Sequence, residues 1–390
     1  MDTETGNVKQ MASGSVSSAG LNLPFGTGLD YQSDSSGGEG FGDRWMSGSL
    51  AGLSFQGGDV LYQTSSSSTL KFTPGASPGE YDAAYFVRDV LSQDTKTGDY
   101  SLLGTGGSIR KFDSNGKLTS FSSPGGEEAT LTYNGAEVDT VSAGTASEGW
   151  EYDYTWSSGK VQSIVYKVNG NEIQKVEFSY DVDQLQTVKI YENANPGGTT
   201  DWGTTPCSAS AYTYHAGSGL LRHVIPPMIY RQMVNNGISD PAAASESELN
   251  QYAQTRYDYD TNGRVSKLWT NGGRYLYEFE YHTSTHTGGG YNVWKRKTVI
   301  KRPEDVREVY YLNAVGEVML HQTLQMSGAS SSSSSSSGGS VSKTWNTVYQ
   351  RFENGSARMI LSANDSAIHT VDESLPELVV LSTTSGLAAC

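Results

Sequence analysis

The stretch Tyr257-Asp258-Tyr259-Asp260-Thr261-Asn262-Gly263-Arg264-Val265-Ser266-Lys267-Leu268 decides how the whole chain reads. Aromatic residues close a run of alternating character, and a short polar segment ending in glycine follows. Apolar residues then return at Val265 and Leu268. An Asp/Asn-Gly segment supplies the positive φ of a tight turn, so the stretch is a β-hairpin. The same element recurs along the chain. It reads Phe112-Asp113 with Gly116 and Leu118, Tyr133 with Gly135 and Val138, and Tyr154 with Gly159 and Val161. Tyr180-Asp181 with Leu185, Tyr214 with Gly219 and Leu221, and Tyr311 with Gly316 and Val318 follow. The first three starts are 21 residues apart, and later intervals widen to between 26 and 52, as if loops were inserted between similar units.

A fixed period changes the expected fold. One hairpin is barely stable in water, so the units must stack edge to edge. The expected class is mainly β: consecutive antiparallel hairpins in a long curved sheet, with one short inserted helix around 241–254. Composition agrees, with 45 Gly and 24 Tyr against only 11 Pro. With 42 acidic and 27 basic residues the net charge is −15. That balance argues against a nucleic-acid partner, because phosphate contacts need clustered Lys and Arg. Two cysteines, Cys207 and Cys390, make neither a disulfide framework nor a metal quartet. No stretch approaches the roughly 20 apolar residues of a membrane-spanning helix, and no signal segment opens the sequence.

The 257–265 stretch resembles the signature of the YD-repeat family, also called RHS repeats, and the early 21-residue spacing matches that family. Upstream, Leu21–Pro24, Leu29-Asp30-Tyr31 and Gly40-Phe41-Gly42-Asp43-Arg44-Trp45 resemble the segment that introduces such arrays. The resemblance covers roughly residues 20–320. It implies strips that wind into a hollow shell, often around a C-terminal toxin or effector, in secreted or surface-associated bacterial proteins. The chain is then expected to be a fragment, with the remainder of the shell or an effector in a longer or neighbouring chain as partner. The family's self-cleaving core has no match after the repeats.

Along the chain, residues 1–20 are polar and expected to be disordered, and 21–110 read as a β-rich lead-in. The repeat array takes 111–325, with loop insertions at 192–211 and 225–256. In the second insertion Asp240 suits a helix cap and Pro241 a first turn. A Ser/Gly-rich linker occupies 326–340, and a β-like tail occupies 341–390.

Candidate chemistry is thin. Asp258, Asp260, Asn262 and Gly263 open like a calcium loop, but position twelve is Trp269 where that loop needs Glu; an Asx-type turn explains them better. His282 and His286 sit four apart, a metal-binding spacing only on a helix, and the run before them reads as strand. Glu127/Glu128 and Glu278/Glu280 have no spacing that favours a glycosidase dyad. There is no G-x-S-x-G and no phosphate loop. No catalytic, cofactor or metal residue is therefore expected, and the residues singled out are the repeat signature above. Tyr152, Tyr154, Tyr257, Tyr259, Tyr275, Tyr277 and Tyr281 recur at even spacing. Stacking between strips explains them; a solvent-facing stripe would instead suit an adhesin or carbohydrate binder.

Overall fold

The computed structural model describes residues 5–12, 29–34, 40–48, 50–65, 68–83, 87–145, 147–288, 290–327, 340–352, 357–364, 368–371, 373–374, 376 and 379–381. The Leu21–Pro24 part of the lead-in, the Ser tract, Gly355 and Cys390 lie outside them. Strand accounts for 54% of the chain and helix for 7%, which makes the fold mainly β. The chain divides into two compact units, Val8–Gln254 and Thr255–Cys390, the latter joined by Met1–Asn7.

In the Val8–Gln254 unit, twelve strands follow one another from Val90–Gln93 to Leu221–Ile225. Each is antiparallel to the next. The alternation that predicts a half-buried strand is realised directly. In Glu148–Ser157, Trp150, Tyr152 and Tyr154 are buried, whereas the residues between them are partly exposed. In Lys160–Val168 the buried residues are Val161, Ile164 and Tyr166. Two smaller sheets precede this one. Leu53–Gln56, Asp59–Ser65, Ser68–Pro74 and Tyr81–Ala83 form a meander. Lys9–Ala12, Leu29–Gln32 and Trp45–Met46 form the other sheet, so part of the stretch expected to be disordered is a strand.

The inserted segment 225–256 differs from the expected single helix. Asp240 does accept a hydrogen bond from the Ala242 N–H, but the turn it caps is only the 3₁₀ piece Pro241–Ala243. Ala244 is extended and breaks it. A second cap, Ser245 paired reciprocally with Glu248, then starts α2 (Glu246–Tyr252). Upstream, α1 (Pro227–Asn235) was not expected. It opens on a proline at its first position, but it has no side-chain cap and no acidic residue in its first turn, so the other start signals are missing. Both helices cover Ala209, Ala211 and Ile225 through Tyr230, Met233 and Leu249. Fully buried His223 bonds Thr213 (2.8 Å) and Asn250 (3.1 Å), tying α2 to the sheet.

The second unit repeats the architecture with eight antiparallel strands from Thr255–Tyr259 to Ala357–Asn364. The strands on either side of the Ser tract, Val318–Ser327 and Ser340–Arg351, pair with each other down to Ser327 opposite Ser340.

Candidate functional site

The feature that recurs from hairpin to hairpin is the end of each turn. Asp113 accepts hydrogen bonds from the N–H groups of Asn115 (2.9 Å) and Lys117 (2.8 Å) on one carboxylate oxygen. Asp260 does the same for Asn262 (2.9 Å) and Arg264 (3.0 Å), and the Asn313 amide oxygen for Val315 (3.1 Å) and Glu317 (2.9 Å). The side chain thus replaces water at the turn, as Asx turns do. Gly116, Gly263 and Gly316 complete these turns at φ 86°, 77° and 86°. Gly135, Gly159 and Gly219 are also in the left-handed region. Asp260 has no capacity left for a loop cation, since its other oxygen pairs with the Arg264 guanidinium at 2.7 Å. Those same bonds hold its carboxyl below the ordinary value despite partial burial.

After each such turn the ladder carries a bulge, and the bulge identifies the aromatic that matters. It lies on the return strand, opposite Phe112, Tyr133, Trp156, Tyr180, Tyr214, Tyr259 and Leu312. Tyr154 lies inside its strand opposite Ile164, and Trp156 has the position assigned to it by the repeat. Likewise Tyr311 lies opposite Leu320 and Leu312 faces Val318. A spacing of four residues to the glycine, as in Phe112–Gly116 and Tyr259–Gly263, would have found Leu312 from the sequence. Asp181 carries no equivalent loop; Val182 follows it at φ 53° and 81% exposed.

A bulge leaves a carbonyl unpaired in the ladder. The next hairpin supplies the missing donor. Tyr133 donates to Leu118 O (2.7 Å), Trp156 Nε1 to Val138 O (2.7 Å) and Tyr180 to Val161 O (2.7 Å). Tyr214 donates to Leu185 O (2.6 Å), and in the other unit Tyr281 donates to Val265 O (2.8 Å). The ring therefore has two jobs, packing against its neighbours and satisfying the previous turn.

The N–H groups of the same bulge residues meet the lead-in. Val161 N–H donates to Gly40 O (2.8 Å) and Leu221 N–H to the Tyr31 hydroxyl (2.9 Å). Within the other unit, Val265 N–H donates to Gly6 O (3.0 Å). Contact is close enough to demand glycine: a Cβ on Gly40 would lie 2.2 Å from Trp156, and one on Gly42 2.8 Å from Asp183 O. Trp45, fully buried, packs at a tilt against Tyr212 and donates to the Tyr214 hydroxyl at 2.8 Å. Where the lead-in crosses the turns, a cleft of about 620 Å³ remains between Gly40, Asp43, Lys160 and Val182.

The paired carboxylates are engaged across strands. Glu128 bonds Ser120 (2.9 Å) and Lys111 (3.2 Å), and Glu280 pairs with Lys301 (2.5 Å). Both carboxyls are held below their usual range by these partners, opposite to what a general acid needs. His282 lies at a strand end opposite Lys297, while His286 packs edge-on against Trp294 and bonds the backbone of Glu373. Among the described residues no three His, Cys, Asp or Glu side chains gather as a metal site. Among the described residues no helix is long and apolar enough to cross a membrane.

The aromatic rows are buried in the first unit and half-buried, Tyr257 apart, in the second. Tyr152 is 1% exposed and packs between Trp150, edge-on, and Tyr166, tilted, at ring separations of 5.3 and 5.1 Å. Tyr154 and Tyr257 are buried too. Tyr259, Tyr275, Tyr277 and Tyr281 are half-buried, and Arg264 lies 4.5 Å over the Tyr281 ring.

No family model matches the chain, and no curated protein does. Among solved structures, a chain of the Photorhabdus luminescens Tc holotoxin pore aligns at 12% identity and TM-score 0.23, covering 82% of this chain and 19% of that one. The TcdB2-TccC3 crystal structure aligns at 11% identity and TM-score 0.25, covering 76% and 18%. A porin-like protein from Bacteroides uniformis aligns at 9% and 0.19, covering 81% and 92%. The chain spans about a fifth of the Tc toxin chains it matches. Superpositions this loose carry no weight for function, which rests on the geometry above.

Proposed function

We propose that this chain is a non-catalytic wall segment of a shell of the RHS/YD-repeat type, serving a secreted or surface-associated toxin or cell-wall protein. One observation carries the reading: in the four successive hairpins from Tyr133 to Tyr214 the ring at the bulge donates to the bulge carbonyl of the hairpin before it, and Tyr281 does the same for Val265 O. Such bonds spend the repeat's most distinctive side chain on continuity between strips and leave it no role toward a ligand. The lead-in supports the same reading, because its glycines are consumed in close approach to the turns. Engaged carboxylates with lowered pKa support the absence of acid–base chemistry.

The alternative, an adhesin or carbohydrate binder, would need aromatic faces open to solvent. Tyr152 and Tyr154, at 1% and 8% exposed, do not favour it. The wall's partners would be the remainder of the shell or an effector. To test this, the chain is co-expressed with the polypeptides encoded on either side of it and challenged with proteinase K. A wall co-purifies with a partner and shields it. Failure of every neighbour to co-purify, together with saturable binding of the isolated chain on a glycan array, would favour the binder.

A further inference from the structure

The loop before Ser208 and helix α1 interrupt the strand rhythm, and between them and strand Gln184–Glu192 lies a cavity of about 530 Å³. That is the size of small-molecule sites, roughly 300–1,000 Å³. Its lining includes Tyr191, Tyr230 and Val234 together with Lys189, Arg231 and Cys207.

Lys189 decides what the cavity fits. It is half-buried, and no carboxylate pairs with it among the described residues. The residue facing it across the ladder is Glu177, whose carboxylate pairs with Lys175 at 2.7 Å and bonds Tyr191. Lys175 in turn lies over the rings of Tyr191 (5.0 Å) and Trp202 (5.4 Å), which fixes the pair beside the cavity. Arg231, at the rim, places one nitrogen on the Cys207 carbonyl at 2.9 Å. Lys189 and Arg231 thus bring two cations to one cavity, in a chain with 42 acidic side chains against 27 basic ones. An anion entering the cavity would meet both charges beside an apolar wall.

We propose that this cavity binds a small organic carboxylate, its charge held by Lys189 and Arg231 and its apolar body lying against Tyr191, Tyr230 and Val234. The site does not depend on the wall reading: the insertions close it over one strand, Gln184–Glu192, that the repeat supplies.

Cys207 lies in the same wall and reports on it. In a Cys390→Ser background its alkylation by iodoacetate and by iodoacetamide is compared. Burial and the charge of Glu192 raise the Cys207 thiol above its ordinary value, but the ratio of the two rates cancels that. The iodoacetate-to-iodoacetamide ratio is expected to fall about threefold or more in Lys189→Gln and in Arg231→Gln, as loss of one nearby charge requires, and to be retained in Lys189→Arg. 4-Phenylbutyrate should slow iodoacetamide labelling saturably, whereas 4-phenylbutanol at the same concentration should not. A ratio unchanged in both glutamine variants, no protection by the acid, or equal protection by acid and alcohol overturns the proposal.

Discussion

Single residues in this protein are constrained by backbone conformation more than by side-chain chemistry. Val182 is a β-branched residue in the left-handed region, where such side chains crowd the carbonyl, and at 81% exposure it gains nothing from packing. Val182→Asn should therefore raise stability by about 1 kcal/mol in thermal or denaturant unfolding; an unchanged or lower midpoint refutes the strain. Gly40 is the opposite case. It needs φ 84° and has no room for a Cβ beside Trp156. Gly40→Ala should cost about 1–3 kcal/mol, readable as a drop in the same midpoint. Gly263→Val, at φ 77°, should cost on the order of 1 kcal/mol or more, whereas an unaltered melting temperature would count against the turn alignment.

At the scale of the hairpin, what matters is whether each bulge carbonyl finds its donor. Tyr180→Phe removes only a hydroxyl, yet it takes away the bond to Val161 O and leaves that carbonyl short of a partner. A loss of about 1–2 kcal/mol is expected, which exceeds the value of a mere surface hydrogen bond. Trp156→Phe adds lost packing against Gly40 and should cost more. Tyr252→Phe serves as a control: its hydroxyl bonds an exposed asparagine amide, so its removal should change little. If all three variants melt alike, the carbonyl bonds do not join the strips. The aromatic–glycine spacing was legible in the sequence, but at two units it pointed one or two residues early, to Tyr154 and Tyr311. Aromatics are also strand-interior residues here, and local pattern does not separate a ring that packs from a ring that donates.

For the whole chain, the shared property is the number of tyrosines held neutral by burial. Tyr31 and Tyr100 are pushed up to about 12, and Tyr152, Tyr180 and Tyr214 further still, in each case chiefly by desolvation of the phenolate. The unfolded chain ionises its tyrosines near pH 10. Because the folded values are raised, this contribution to stability is complete below about pH 10 and is lost as pH climbs toward 12 and beyond. Alkaline titration should show tyrosinate absorbance at 295 nm appearing cooperatively with loss of the β-sheet circular dichroism. Ionisation of most tyrosines near pH 10 in a still-folded protein would contradict their burial.

What the sequence determined by itself is the local part: the mainly β class, the turns and their glycines. An Asp or Asn that holds N–H groups two and four residues ahead, and a glycine that allows positive φ, act within a handful of residues, so their signal is written contiguously. Helix α1 escaped because it has no cap and is stabilised by burying Tyr230 and Met233 against the sheet, a tertiary cause. Only the tertiary structure decided which donor meets which carbonyl and why Gly40 and Gly42 cannot carry a side chain. Tyr31 meets Leu221 across 190 residues of chain, and Tyr214 reaches back 29 residues to Leu185. Those pairings follow from stacking register and from the path of the lead-in, and no local sequence pattern encodes a distance of that kind.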